Sequence, residues 1–179
     1  MVEGLVYRQD FITPDEERQL LGQFKAIEFR PVVMRGQTAR RTVRHYGLDY
    51  DYESGELVPA DPLPEPMLWL RDRCAELMER DPADLVQVLV SRYPPGSGIG
   101  WHRDAPMFGS KIAGVSLGAP SRMRFQRTVK NERSTDAIEL APRSAYLLTG
   151  KARWSWQHSI PATEKLRHSV TFRTLRRER

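Results

Sequence analysis

Cysteine is nearly missing from this chain: of 179 residues only Cys74 carries a thiol. That excludes an internal disulfide and a multi-cysteine zinc site, and no disulfide-linked partner is expected. It suits a reducing, cytoplasmic setting. No apolar stretch approaches the length needed to cross a bilayer, so no membrane partner is expected. Met1 to Leu5 shows no charged leader followed by an apolar run, so no secretory signal is expected either. Internal repeats are absent, and low complexity is confined to local clusters of proline and glycine. Histidine is scarce as well: His45, His102, His158 and His168 are the full set. Any chemistry resting on imidazole must draw on these four.

What remains is an ordinary globular composition, 40% hydrophobic and 28% charged. The length favours one domain over residues 1–179, taken as a monomer, with a sizeable core. Net charge is +5, but its distribution says more. Residues 121–179 hold 14 Lys or Arg against 5 Asp or Glu, while residues 51–120 hold 6 against 11. A basic C-terminal third suits an anionic partner. The plainer reading is a solvated surface with a frayed tail, Arg176 to Arg179.

Thr13-Pro14-Asp15-Glu16 is a helix start: Thr13 caps, Pro14 takes the first helical position, and Glu16 completes a capping box. Leu20, Leu21 and Phe24 then supply an apolar face. Phe29 to Met34 reads as a strand interrupted by Pro31. In Arg35 to Gly47, basic Arg40, Arg41 and Arg44 interleave with His45 and Tyr46, which suits phosphate contacts and base stacking. An edge hairpin carrying surface charge is the alternative. Asp49 to Pro66 reads as a loop. Met67, Leu70, Cys74, Leu77 and Met78 recur at helical spacing, so a second helix is predicted to end near Arg80. Everything after Leu85 is predicted to be strands and turns, with a polar hairpin turn over 129–135. Residues 1–84 thus hold the helices and a substrate-recognition segment, and 85–175 a β core. The fold class is α+β, with helices buttressing a jelly roll.

The chemistry concentrates after the apolar run Leu85 to Val90. Tyr93-Pro-Pro-Gly-Ser-Gly-Ile-Gly-Trp-His102-Arg-Asp104 breaks regular structure and then offers an imidazole and a carboxylate one residue apart. On extended backbone residues i and i+2 share a side, so His102 and Asp104 can aim at one point. A further histidine would complete a 2-His-1-carboxylate face for a divalent transition metal. His158, in an alternating strand-like stretch, is favoured as that third donor. His168 falls on the wrong face of the last strand, and His45 lies well upstream. The last strand alternates Arg167, Ser169, Thr171 and Arg173 with His168, Val170 and Phe172. Facing inward, its two guanidiniums need anionic partners, and a metal-bound dicarboxylate would satisfy both. Facing outward, it is an edge strand in water.

His102-x-Asp104, His158 and Arg167-x-Ser169-x-Thr171-x-Arg173, in that order and spacing, resemble the AlkB family of Fe(II)/2-oxoglutarate dioxygenases. The likeness is close from about Val88 to Arg173 and includes Tyr93, Ser116-Leu-Gly118 and Leu148-x-Gly150 ahead of Ala152-Arg153. It implies a double-stranded β-helix, with Fe(II) on His102, Asp104 and His158, and O2 and 2-oxoglutarate as co-reactants. Arg167, helped by Tyr93, would bind the distal carboxylate of 2-oxoglutarate. Arg173 would lie near the metal-side carboxylate, with Ser169 and Thr171 shaping the pocket. Two residues depart from the family pattern: Ser91 and Ser169 stand where asparagine is frequent. The resemblance implies oxidative demethylation of alkylated bases in DNA or RNA, with Arg40, Arg41 and Arg44 on the backbone and Tyr46 stacking opposite His102. Pro106 stands where some relatives carry an acidic base contact. Oxygenase chemistry on a protein or small molecule, a non-catalytic nucleic-acid-binding module, and a structural metal-binding β-sandwich are the alternatives.

Overall fold

The computed structural model describes residues 1–34 and 36–177. Arg35, which opens the basic segment, and the tail residues Glu178 and Arg179 lie outside the described residues. In chain order the first elements are β1 (Leu5–Arg8), α1 (Pro14–Phe24), β2 (Arg30–Met34), β3 (Gln37–Tyr46), β4 (Leu48–Tyr50) and β5 (Leu57–Pro59). Then come α2 (Leu68–Met78), β6 (Gln87–Tyr93), β7 (Ile99–His102), β8 (Phe108–Gly118), β9 (Ser121–Val129) and β10 (Glu132–Leu140). The chain closes with β11 (Ala145–Leu148), α3 (Gly150–Trp154), β12 (Gln157–Ile160) and β13 (Arg167–Leu175).

The strands form a seven-stranded sheet in the order β1-β11-β8-β13-β6-β3-β2 and a four-stranded sheet in the order β10-β9-β12-β7. All pairings are antiparallel. This is a double-stranded β-helix, as the family resemblance implies, and the strands after Leu85 form the predicted jelly roll. β13 lies at the middle of the larger sheet, between β8 and β6. Its alternation therefore has two packed faces and no edge in water. Val170 and Phe172 join Val88, Val90, Ala113 and Val115 in a core roofed by Leu20, Phe24, Leu70 and Cys74 of the helices. Ile112, Met123, Phe125, Leu148, Trp156 and Ile160 make a second core between the sheets. Each large apolar side chain so buried contributes roughly 1.5–3 kcal/mol.

The first helix starts as its sequence dictates. Thr13 Oγ1 accepts from the Glu16 amide at 3.1 Å, and Glu16 Oε1 accepts from the Thr13 amide at 2.8 Å. Such a cap stabilises a helix by about 1 kcal/mol.

Four features differ from the sequence reading. β1 has no counterpart there; it adds to the sheet edge through β11. The segment read as a loop contains the small antiparallel pair β4–β5. The polar turn over 129–135 is much tighter: β9 and β10 continue to Val129 and Glu132, leaving Lys130 and Asn131 at φ 49° and 66°. Two successive positive φ values match the right-handed strand twist, and asparagine tolerates them well. Finally, α3 interrupts the region expected to hold strands and turns alone. Five residues are too few to leave a periodic signature.

Candidate active site

The inner face of the larger sheet is set by register. Arg167 pairs with Tyr93, Ser169 with Ser91, and Arg173 with Gln87, so these six side chains share one side. That side faces the smaller sheet, where His158 of β12 stands directly opposite His102 of β7. The imidazole centroids are 4.3 Å apart. Asp104, just past β7, brings Oδ2 to 3.6 Å from His158 Nε2. Donor atoms of His102, Asp104 and His158 all lie within 4.8 Å of one another.

Each donor is held in the form a metal needs. His102 Nδ1 is 2.8 Å from the Gly100 carbonyl, an acceptor only, so Nδ1 carries the proton and Nε2 keeps its lone pair. Burial pushes the His102 pKa down and that of His158 down to about 3, so both rings stay neutral at ordinary pH. Burial alone would raise the Asp104 carboxyl. The Arg173 guanidinium beside it, with the two imidazoles, reverses this and holds it well below the usual carboxylate range. Arg173 Nε donates to Asp104 Oδ1 at 2.8 Å, its Nη2 reaches the same oxygen, and Nη1 donates to Gln87 Oε1 at 3.0 Å.

Gln87 is fully buried and continues this chain: its Nε2 lies 3.0 Å from His45 Nδ1. Sequence reasoning passed over Gln87, although a lone amide inside an apolar strand is a signal. Arg153 enters that reasoning only as part of a pattern. The structure shows it buried and donating to four carbonyls: Asp104, Ala105, Phe108 and Gly109, at 2.9–3.1 Å. It stitches down the turn that carries Asp104.

At the other end of the inner face Arg167 is 2% exposed. Its Nε donates to Ser116 Oγ at 3.1 Å, its guanidinium stands 4.9 Å from the Tyr93 ring centre, and its Nη1 is buried with no protein partner among the described residues. A buried guanidinium N–H aimed at nothing is costly, and an anionic ligand would satisfy it. Ser169 and Thr171 line the floor between Arg167 and Arg173. Tyr146 completes it, its ring lying so close over Gly114 that a Cβ there would stand 2.3 Å from it. Two imidazoles and a carboxylate, next to buried guanidiniums, fit Fe(II) and a dicarboxylate.

Beside these donors opens a cavity of about 1010 Å3, bordered by Tyr50, Tyr52, Trp101, Pro106, Arg41 and Trp154 among others. Here the sequence reading of the substrate contacts needs correction. Tyr46 is 5% exposed and packs in the helix-side core, so it does not stack opposite His102. Alternation along β3 is the reason: Arg41, Val43 and His45 point inward, and Thr42, Arg44 and Tyr46 point to the helices. Arg44 follows Tyr46 to that side and pairs with Asp61. Arg41 is buried, with Nη1 3.3 Å from Ser91 Oγ, and is no open phosphate contact. Of the four, only Arg40 is exposed, beside the Gly96 carbonyl at 3.4 Å. The aromatic wall comes instead from Tyr50, Tyr52 and Trp101. His168 sits on the helix side against Phe24 and Phe29, away from the donors.

Comparison with known proteins agrees with this geometry. The family model of the 2OG-Fe(II) oxygenase superfamily matches residues 4–179. The chain is 31% identical over 205 residues to the "Alkylated DNA repair protein ALKBH8 homolog" of Arabidopsis thaliana, covering 98% of this chain and 56% of that protein. It is 30% identical over 168 residues to the "tRNA (carboxymethyluridine(34)-5-O)-methyltransferase alkbh8" of Xenopus tropicalis, covering 88% of this chain and 25% of that one. The chain thus spans between a quarter and about half of the length of these two relatives. Among solved structures it resembles OsALKBH1, with TM-score 0.72, 17% identity and 96% coverage of both chains. It also resembles a Pseudomonas putida prolyl-4-hydroxylase, with TM-score 0.69, 13% identity, 97% coverage of this chain and 93% of that one. These two share the fold. The chain belongs to the 2OG-Fe(II) oxygenase superfamily and is a dioxygenase using Fe(II), 2-oxoglutarate and O2.

Proposed function

We propose that this dioxygenase removes alkyl groups from nucleobases of DNA or RNA, with iron on His102, Asp104 and His158. The observation that carries the reading is the cavity beside those donors, walled by Tyr50, Tyr52 and Trp101. Flat aromatic faces next to a metal centre suit an extruded base. The names of the relatives, an alkylated DNA repair protein and a tRNA methyltransferase, support nucleic acid as the substrate class.

Fe(II), 2-oxoglutarate and O2 together supply the oxidation, yielding succinate, carbon dioxide and a hydroxylated substrate carbon. On an N-methyl group that carbon departs as formaldehyde. The protein's part is positioning. His102 offers Nε2 because its Nδ1 proton is spent on Gly100. Asp104 stays ionised beside Arg173, whose remaining Nη1 is held by Gln87. Arg167, stacked on the Tyr93 ring, would hold the distal carboxylate through the Nη1 that no protein atom among the described residues satisfies, with Tyr93 assisting. Ser169 and Thr171 keep the floor small and polar. Backbone contact next to the target nucleotide falls to Arg40.

The test is reconstitution with Fe(II) and 2-oxoglutarate without oxygen, then exposure to oxygen with a panel of methylated DNA and RNA oligonucleotides, reading formaldehyde. Formaldehyde from at least one is expected. Succinate release with no formaldehyde from any of them would send the substrate assignment to a protein or small molecule.

A further inference from the structure

A second hollow adjoins the catalytic cavity. It measures about 670 Å3, and its border includes Arg80, Ser110, Trp154, Thr174, Arg176 and Arg177. The two hollows share Trp154, and their other walls are chain neighbours: Phe108 with Gly109, and Arg173 with Thr174. A strand leaving one would enter the other across the indole. Trp154 is 38% exposed, a large apolar surface left at the junction.

The charge is one-sided. Arg80 comes from the end of α2, and Arg176 and Arg177 follow β13. Asp84 is the one acid on the border among the described residues. Among the described residues none of the three arginines is in an ion pair, whereas Arg18, Arg30, Arg44 and Arg122 each sit on a carboxylate. Arg80 donates to the Glu79 carbonyl and, at 3.5 Å, to Ser110 Oγ. The Arg176 guanidinium lies 5.2 Å from the Trp154 ring centre and borders the hollow. Nor is this arm loose: the Arg176 amide donates to the Met107 carbonyl at 2.7 Å, tying it to the turn that follows Asp104. A guanidinium cluster with no carboxylate partner among the described residues, on a braced backbone, is suited to phosphate.

We propose that this hollow binds backbone phosphates of the strand whose target nucleotide occupies the catalytic cavity. The proposal rests on the nucleobase reading above and adds to it a second binding site, behind Trp154. It makes the enzyme favour long strands over short ones, because a trinucleotide cannot fill both hollows. It also gives binding a salt dependence that belongs to Arg80, Arg176 and Arg177 and not to the iron site.

The test compares KM and kcat for a methylated trinucleotide and a methylated strand of about fifteen nucleotides, in wild type and in the double variant Arg80→Glu with Arg177→Glu. A thermal unfolding midpoint equal to that of wild type checks that the variant folds. Wild type is expected to show a KM about tenfold lower for the long strand, and the variant to lose that advantage with kcat and the trinucleotide KM unchanged. Binding of the unmodified long strand should weaken, and its salt slope should drop by about one for each phosphate that the variant no longer neutralises. A length advantage that survives in the variant, or is missing from wild type, overturns the second site and leaves the nucleobase reading standing. If no oligonucleotide is demethylated, the nucleobase reading falls. The hollow is then judged on binding of the unmodified strand, and affinity and salt slope equal in both proteins overturn it.

Discussion

Arg153 donates from Nη1 to the main-chain carbonyl of Asp104 at 2.9 Å, so a buried guanidinium grips the turn that carries a proposed iron donor. Three more carbonyls of the same turn accept from it. Arg153→Met would keep much of the volume and leave four carbonyls unsatisfied. The expected result is a loss of roughly 3–5 kcal/mol in stability, since each buried acceptor left without its donor costs about 1–3 kcal/mol and some of the four can relax toward water. Arg153→Lys can satisfy only part of the fork, so iron affinity should drop by about 10–100-fold. Urea unfolding and iron titration measure the two effects, and wild-type values in both variants would refute the clamp.

Arg167→Met should weaken 2-oxoglutarate binding by about 2–5 kcal/mol, since the lost partner is a desolvated guanidinium. Iron affinity without cosubstrate should hardly change, because Arg167 sits at the far end of the inner face from Asp104. Separate titrations of metal and 2-oxoglutarate check this. Equal losses in both would mean that the variant disturbs the whole floor.

Asp104→Ala and His102→Ala should both abolish succinate release. They differ in stability. Asp104→Ala strips Arg173 of the one carboxylate it meets among the described residues and leaves a buried charge, at a cost of roughly 3–5 kcal/mol. His102 lies at the cavity wall and leaves no charge behind. Thermal unfolding of the two metal-free variants should therefore rank Asp104→Ala well below His102→Ala.

Acid should loosen the fold through His168. Burial, then Arg92 and Arg167, push its pKa from 6.5 down to about 4. Between those values the unfolded chain binds a proton that the folded one refuses. Stability is thus fully present above the upper value and lost as pH falls through the window, by up to about 3 kcal/mol. His45, pushed down to about 4 by burial, adds a change of the same sign. Urea unfolding of wild type and His168→Phe at about pH 7 and about pH 4.5 separates the contributions. The variant should lose less stability between the two conditions. A parallel drop in both proteins would place the acid sensitivity elsewhere.

Arg40→Glu and Arg41→Glu, adjacent in sequence, should behave differently. Arg40 is exposed, so its reversal should raise KM for oligonucleotide and leave a free methylated nucleoside unaffected. Arg41 is buried over Tyr93, so a carboxylate there should lower stability and impair every substrate. Steady-state kinetics on both substrate types decide between these outcomes.

Much of this was legible in the chain because it depends on local order. Thr13 to Glu16 specify a capped helix through contacts three residues apart, and the structure forms that cap. The odd and even positions of Arg167 to Arg173 specify two unlike faces whatever lies beyond them. His102 and Asp104 share a side of the chain for the same reason. Gln87 shows where reading stopped short: its amide stood out from an apolar strand, but its partners His45 and Arg173 are distant in sequence.

Only tertiary structure could say which face of a strand turns inward. Alternation on β3 separates Arg41 from Tyr46 in any fold, but it took pairing with β6 to send the tyrosine to the helices and the arginine to the cavity. The same holds for the cavity's aromatic wall, assembled from segments with no common period, and for α3, whose single turn matters through four carbonyls more than forty residues away in sequence. Periodicity is a property of neighbours along the chain. Which surface gains from leaving water is settled by what packs against it.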